Sequence, residues 1–283
     1  MAISAELGAE SEVELPQGPV RYRERGEGQP LVFAHGLLVN GDLWRKVVPL
    51  LADGYRCVTP DLPLGSHRLP VKRDADLTPP GLADLLADFV EAVGAKQGTL
   101  VANDTAGALS QILVTRRPEA VARLVLTSCD SFENFLPPMF KPLRILGGYV
   151  PGSAVVLGQA MRLRLLQRSP AGFGLLTKGG FPPEVAESFV APSRSSSGTR
   201  HDLAKVLRGI HKRHTLEAAD KLPQWAGRGL VVWARDDKVF PLDHGRRLAR
   251  LLSADLVEVE DSYSFIPEDR PERLAQAIRE FAD

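Results

Sequence analysis

Short apolar runs rich in β-branched residues alternate with longer amphipathic segments along most of this chain of 283 residues. The runs predict buried strands and the amphipathic segments predict helices. The predicted strands are residues 31–34, 55–59, 99–102, 124–127, 230–233 and 255–259, and the predicted helices are residues 47–51, 81–93, 105–117 and a last one starting at Pro271. Strands that alternate with helices form a mostly parallel sheet with helices on both faces, so we expect an α/β fold.

The alternation is interrupted once, after the strand at residues 124–127. Residues 132–214 have a different composition, rich in Pro, Gly, Ser and Arg, and the strand pattern returns only at residue 230. We interpret this stretch as a helical cap inserted into a core formed by residues 1–131 and 215–283. Within the cap, the serine-rich residues 193–198 predict a mobile loop.

Charge and composition narrow the function classes. Thirty-five basic residues balance 35 acidic ones, so the chain has no long-range field that would attract nucleic acid or an anionic membrane. We also find no signal peptide and no apolar stretch long enough to span a bilayer. Cys57 and Cys129 follow β-like patterns that suit buried, reduced thiols. We therefore expect a cytoplasmic protein, a monomer or small homo-oligomer, whose partner is a small-molecule substrate.

Four landmarks occur in a particular order along the chain: His35-Gly36 after an early strand, the small-x-Asp-x-small run 102–106, Asp237 followed by Pro241, and the terminal segment 261–271. In this order and spacing they resemble the α/β-hydrolase superfamily, which implies a mostly parallel eight-stranded sheet. An aspartate in the strand-to-helix turn resembles the haloalkane dehalogenase and epoxide hydrolase branch.

The resemblance implies that Asp104 is the nucleophile. A carboxylate is already ionised at neutral pH and needs no base before it attacks. The N–H groups of Thr105 and Leu37 would hold developing negative charge, while Asn103 beside the nucleophile is an accessory candidate. The alternative interpretation is that Asp104 only caps the helix that follows it.

The second half of the resemblance is incomplete. Asp237 matches the acid of a catalytic triad, with a loop cap as the alternative interpretation, but Ser264 stands where the family carries the histidine that activates water. Asp130 matches an alternative acid position but is better explained as a turn residue. His35 belongs to the loop that holds the oxyanion, where we expect it to form structural hydrogen bonds.

The other histidines offer few substitutes for the missing base. Only His67 and His201 have positions from which they could reach the pocket, and a lone loop histidine is more often exposed or hydrogen-bonded locally. His244 lies on an outer helix, and the pair His211 and His214 is expected on a solvated face. That pair has metal-ligand spacing but no further ligands in register, so we predict no metal site. No phosphate-binding loop or prosthetic-group motif occurs, and we expect no cofactor.

Three hypotheses follow. The first is a hydrolase of the dehalogenase and epoxide hydrolase type, with an atypical triad, acting on a small, largely apolar molecule. The second is a lyase, isomerase or cyclase in which Asp104 transfers a proton. The third is a ligand-binding pseudo-enzyme. A halide-binding tryptophan and asparagine are replaced here by Thr105 and Leu37, and the cap has Tyr149 as its one tyrosine where an epoxide hydrolase uses two.

Overall fold

The computed structural model describes residues 4–283, and an eight-stranded sheet forms its centre. The strands are β1 (Ala9–Leu15), β2 (Gly18–Arg25), β3 (Gln29–Ala34), β4 (Tyr55–Pro60), β5 (Thr99–Asp104), β6 (Arg123–Cys129), β7 (Arg228–Ala234) and β8 (Asp255–Val259). Their spatial order is β1-β2-β4-β3-β5-β6-β7-β8. Strand β2 runs antiparallel to β1 and β4, and the remaining neighbours are parallel. The predicted mostly parallel sheet is confirmed.

Strands β1 and β2 are absent from the sequence prediction, and their composition explains why. Both carry charged residues at alternate positions, and these face each other across the antiparallel pair, as Glu10 faces Arg23 and Glu12 faces Arg21. Arg23 Nη2 lies 2.6 Å from Glu10 Oε2. A strand on a half-exposed edge lacks the continuous apolar run that marks a buried strand.

Twelve α-helices surround the sheet in the described part of the chain. They are α1 (Val48–Leu51), α2 (Pro79–Ala92), α3 (Thr105–Arg116), α4 (Lys141–Tyr149), α5 (Ser153–Ala160), α6 (Arg164–Gln167), α7 (Pro183–Ser195), α8 (Ser197–Gly209), α9 (Arg213–Lys221), α10 (Leu242–Leu251), α11 (Ile266–Asp269) and α12 (Pro271–Ala282). Helix α3 is buried from Thr105 to Val114, because it follows the central strand β5. None of the helices within residues 4–283 has the length and apolar character needed to cross a bilayer.

The segment between β6 and β7 holds helices α4 to α9. Helix α4 packs on α8 and α5 on α7, whereas α9 packs on α3. The mobile loop predicted at residues 193–198 is wrong, because α7 continues to Ser195 and α8 begins at Ser197. Serine 196 between them is a helix cap, as Ser196 Oγ accepts a hydrogen bond from the Thr199 N–H at 3.1 Å.

The predicted site residues follow strands that end on one side of the sheet. Asp104 ends β5, Asp130 follows β6, Asp237 follows β7, and Ser264 comes after β8. Parallel neighbours present their carboxyl ends at the same edge, where ligands bind in open α/β sheets. Both cysteines are buried free thiols, as predicted.

Candidate active site

Asp104 occupies a strained turn between β5 and α3. Its backbone has φ 57° and ψ −131°, a region that a residue with a side chain adopts at a cost of about 1–3 kcal/mol. The turn also requires small neighbours, because a Cβ on Gly36 would lie 2.4 Å from Asp104 Oδ1. The surrounding structure therefore holds the carboxylate in one position against the loop that follows β3.

Two backbone N–H groups and one hydroxyl donate to the Asp104 carboxylate. Thr105 N lies 2.5 Å and Thr105 Oγ1 2.9 Å from Asp104 Oδ1, and the Leu37 N–H donates as well. Burial raises the pKa of Asp104 above its usual value, and these three hydrogen bonds lower it in part. The two donors that the sequence suggests for developing charge thus contact the predicted nucleophile itself.

Asp130 lies behind Asp104 and shares a hydrogen-bond partner with it. Thr105 Oγ1 is 3.2 Å from Asp130 Oδ2, and Asp130 is fully buried. Burial, followed by the charge of Asp104, raises the pKa of Asp130 well above its usual value, which favours the neutral acid. Since a hydroxyl has one hydrogen, a protonated Asp130 can donate to Thr105 Oγ1 and leave the Thr105 hydrogen for Asp104.

Asp237 and Ser264 form a hydrogen-bonded pair. Ser264 Oγ donates to Asp237 Oδ1 at 2.7 Å, and the N–H groups of Val239 and Phe240 donate to the same oxygen at 2.8 and 2.9 Å. Burial raises the pKa of Asp237 to about 6, and hydrogen bonds from Phe240, Val239 and Ser264 oppose the shift. The neighbouring Asp236 instead lies at the surface and pairs with Lys178.

The charges of the three carboxyl groups act on one buried thiol. The pKa of Cys129 is raised well above its usual value by burial and then by the charges of Asp130, Asp104 and Asp237. Cys129 also packs so closely on α3 that a Cβ on Gly107 would lie 2.2 Å from its own Cβ. The structure therefore brings together the acidic residues that the sequence suggests separately.

Asn103 and His35 hold the backbone around the turn. Asn103 Nδ2 lies 2.9 Å from both Thr127 Oγ1 and the Ser264 carbonyl oxygen, which connects β5 to the loop after β8. His35 Nε2 accepts from the Leu62 N–H at 2.9 Å, and Nδ1 donates to the Gly36 carbonyl at 2.9 Å. Burial lowers the pKa of His35 to about 4. Both ring nitrogens are occupied, so a neutral His35 has no lone pair for catalysis.

The remaining histidines are engaged elsewhere or lie away from the cavity. His67 Nε2 is 3.1 Å from Asp202 Oδ2, and His244 Nδ1 is 3.1 Å from Ser131 Oγ. His214 is buried, contrary to the expected solvated position, because it packs at the start of α9. Within residues 4–283, no histidine lines the cavity described below, so neither His67 nor His201 offers a base in its lining.

A cavity of about 380 Å³ opens above Asp104. Within the described residues, Asp104 is the one titratable side chain in its lining, and neither Asp237 nor Ser264 contributes to it. The lining is otherwise mostly apolar. It includes Leu37, Leu38, Leu136, Met139, Phe140, Leu143, Leu146, Leu157, Met161, Phe173, Leu176, Phe189, Val190 and Leu203. Asp104 accepts the first N–H of α3, as a cap does, and also faces this cavity.

Met139 and the phenylalanines of the β6–β7 segment divide between lining and packing. Met139, Phe140, Phe173 and Phe189 line the cavity, whereas Phe132, Phe135 and Phe181 lie outside its lining. Sequence reasoning missed the aliphatic lining from α4 and α5. Leu143 and Leu146 have the three-residue spacing that places side chains on one helix face, and this was the available signal.

Comparison with known proteins identifies the family. A family model described as alpha/beta hydrolase fold matches residues 29–271. The chain therefore belongs to the α/β-hydrolase fold family.

Proteins similar to this chain are named for several different activities. The chain is 26% identical to the uncharacterized hydrolase YugF of Bacillus subtilis, over 92% of each chain. It is 23% identical to haloalkane dehalogenase 2 of Mycobacterium bovis, covering 93% of this chain and 91% of the relative. It is also 25% identical to a cis-3-alkyl-4-alkyloxetan-2-one decarboxylase of Shewanella oneidensis, covering 93% and 84%.

Solved structures show the same fold. The epoxide hydrolase CorEH superimposes with a TM-score of 0.79 at 16% identity, covering 96% of this chain and 98% of the other. At that identity the likeness establishes the architecture and not the reaction.

Proposed function

We propose that this protein is an enzyme in which Asp104 attacks an alkyl carbon of a small, largely apolar substrate, in the manner of dehalogenases and epoxide hydrolases. The observation that carries the proposal is the position of Asp104, a carboxylate on the wall of an otherwise mostly apolar cavity. The cap of residues 132–214 would set the substrate preference, since it supplies most of the lining.

The cavity suits the first chemical step. A buried carboxylate is less hydrated than one in water, and the strained turn fixes its direction. An oxygen of Asp104 would form a C–O bond as the C–O or C–halogen bond of the substrate breaks. The N–H groups of Leu37 and Thr105 are placed to stabilise negative charge near this point.

The second step separates this protein from an ordinary hydrolase of the branch. The ester formed on Asp104 is hydrolysed only when water attacks it, and a serine hydroxyl cannot act as a general base near neutral pH. One oxygen of Asp237, Oδ1, accepts hydrogen bonds from Ser264 and two backbone N–H groups, and Asp237 lies outside the cavity lining within residues 4–283. We therefore expect the ester to accumulate with alkyl halides and epoxides.

A second candidate function avoids water altogether, and the relative named as an oxetanone decarboxylase favours it. In a four-membered lactone, Asp104 can attack the saturated ring carbon that is bonded to the ring oxygen. The bond between that carbon and the ring oxygen breaks, and the former carbonyl group leaves as a carboxylate on the neighbouring carbon. Loss of CO₂ then breaks the neighbouring C–C bond, and its electron pair forms the alkene as the Asp104 carboxylate leaves. These bond changes balance without a base, a water molecule or a redox partner. Asp104 is regenerated without a histidine.

The experiment compares three substrate classes on the full chain: a primary alkyl bromide, a terminal epoxide and a cis-3,4-dialkyl β-lactone. Intact mass reports a covalent ester, and gas chromatography reports alcohol, diol or alkene. Asp104→Asn removes the nucleophile, and Asp53→Asn, at an exposed position, is the matched control.

Each outcome selects among the hypotheses. A stable adduct from the bromide or epoxide, lost in Asp104→Asn, supports nucleophilic attack with blocked release. Alkene from the lactone with continuous turnover supports the second candidate. If no substrate gives an adduct or a product, while ligands raise the melting temperature, the protein is a binding protein and both enzymatic proposals fail for these classes.

A further inference from the structure

One stretch of the chain departs from the overall charge balance. Residues 134–183 contain six basic residues and no Asp or Glu, although the whole chain has a formal net charge of zero. This stretch includes helices α4, α5 and α6. The acidic residues that offset its charge all lie in other parts of the sequence.

The same stretch exposes most of the large apolar side chains at the protein surface. Within residues 4–283, the large exposed apolar side chains outside it are Leu50 and Leu216, each less than 40% exposed. Inside it, Leu165 is 87% and Val156 70% exposed. We call the exposed set the cationic apolar face: Met139, Ile145, Leu146, Tyr149, Val150, Val156, Leu163 and Leu165, with the basic residues Lys141, Arg162, Arg164 and Arg168. Large exposed apolar side chains concentrated in one segment are typical of an interaction site.

Three of the four basic residues of this face form no ion pair within residues 4–283, while the charge of Arg162 acts on Glu187. In the described structure Lys141, Arg164 and Arg168 form no ion pair, whereas Arg246 on α10 pairs with Glu258 at 3.0 Å. Arg164 and Arg168 line a second, open pocket that also contains Asp261, Glu268 and Asp269, so acidic side chains adjoin this one edge of the face.

Two residues of the face also belong to the cavity lining. Met139 and Leu146 line the cavity and are 45% and 51% exposed, so they lie at its rim. Helices α4 and α5 thus present one side to the cavity and another to the outside.

We propose that the cationic apolar face binds the surface of an anionic lipid bilayer, with its apolar side chains in the headgroup region and its basic side chains on lipid phosphates. Apolar side chains combined with basic ones are the composition that binds bilayer interfaces without spanning them. A second copy of this chain fits less well, because a two-fold contact would bring uncompensated cations together. This inference goes beyond the proposed function and does not depend on Asp104.

The first test is sedimentation of the full chain with vesicles at low salt. We expect binding to vesicles of phosphatidylglycerol and phosphatidylcholine, little binding to pure phosphatidylcholine, and loss of binding in high salt. Asp104→Asn should bind as the parent does, which separates this proposal from the catalytic one.

Charge variants then locate the surface. Each basic residue near an anionic bilayer contributes roughly fivefold in affinity, so Lys141→Gln, Arg164→Gln and Arg168→Gln together should weaken binding about a hundredfold. The matched control is Lys212→Gln, Lys221→Gln and Arg250→Gln, which removes the same charge from exposed positions outside this face. Equal losses in the two triple variants would mean that overall charge, and not this face, governs binding.

A label reports insertion directly. An environment-sensitive fluorophore on Leu165→Cys should shift to the blue on anionic vesicles, and the same label on Leu216→Cys should not. The native Cys57 and Cys129 are buried and leave the label to the new site. The proposal is overturned if the labelled protein binds no vesicle, or if sedimentation velocity shows a dimer that Leu165→Ser dissociates.

Discussion

The two halves of the candidate site have opposite surroundings. Asp104 lies in a strained turn and faces a cavity, whereas Asp237 and Ser264 bond to each other outside that cavity's lining within residues 4–283. The first half has the features of a reacting group, namely limited hydration, fixed direction and nearby N–H donors. The second has the features of a structural cross-link. A site can thus keep the geometry for bond formation while the groups that would finish a hydrolysis serve the fold.

The largest effect that tests this contrast is expected at Asp104. Asp104→Asn removes the attacking anion, so we expect activity on any accepted substrate to fall by about 10⁴-fold or more. Initial rates of the parent, the variant and the exposed control Asp53→Asn provide the measurement. Retained activity in Asp104→Asn would show that the contrast between the halves has no chemical meaning.

The next effect is a gain at position 264. Ser264→His supplies a base beside Asp237, and general base catalysis contributes about 10²–10⁴-fold, so hydrolysis of the ester should accelerate within that range. The rate should then acquire a titration near pH 6.5 that the parent lacks. Because residue 264 is fully buried, the larger ring should also cost about 1–3 kcal/mol of stability. If the Ser264→His variant folds and the ester lifetime is unchanged, the missing histidine is not what limits ester hydrolysis.

Stability should depend on pH through Asp237. Its pKa is about 6 in the folded protein and near 3.8 when exposed, so the folded state holds a proton that the unfolded state releases. The contribution is fully present below about pH 4 and is lost as pH rises through 6, by about 1.4 kcal/mol per pH unit. Urea unfolding between pH 4 and 8 should show a shallower slope in Asp237→Asn than in the parent. An identical slope in the two proteins would assign the dependence to other buried acids, such as Asp61.

The smallest effect concerns the hydroxyl itself. Ser264→Ala removes one hydrogen bond to Asp237 and should reduce the free energy of unfolding by about 1–2 kcal/mol. Formation of the ester on Asp104 should continue at the parent rate. Chemical denaturation and intact-mass kinetics on the same sample separate the two quantities, and a slower ester formation would give Ser264 a role in the first half.

The fold was predictable where strands are buried. The runs that became β3 to β8 are apolar enough to be recognised, while β1 and β2 carry alternating charges that pair only across the sheet edge. The break between α7 and α8 resembles a loop in sequence because serine also caps helices. Local patterns therefore identified the centre of the sheet and missed its margin.

The site was predictable in part. Asp104, Asp237 and Ser264 were placed by their order and spacing, and the structure brings their strand ends to one edge. The engagement of His67 by Asp202 joins residues 135 positions apart, and the division of the phenylalanines depends on side-chain direction. The balanced total charge also concealed the cationic apolar face, because a sum carries no information on where charges lie.

The Asn103 amide holds the loop after β8 through the carbonyl oxygen of Ser264. That hydrogen bond uses backbone, so it is indifferent to which side chain position 264 carries. A descendant or an ancestor could exchange serine for histidine there while the loop stayed where it is. Switching between a hydrolytic and a water-independent reaction would then require a substitution at position 264 and no change in the backbone of the loop.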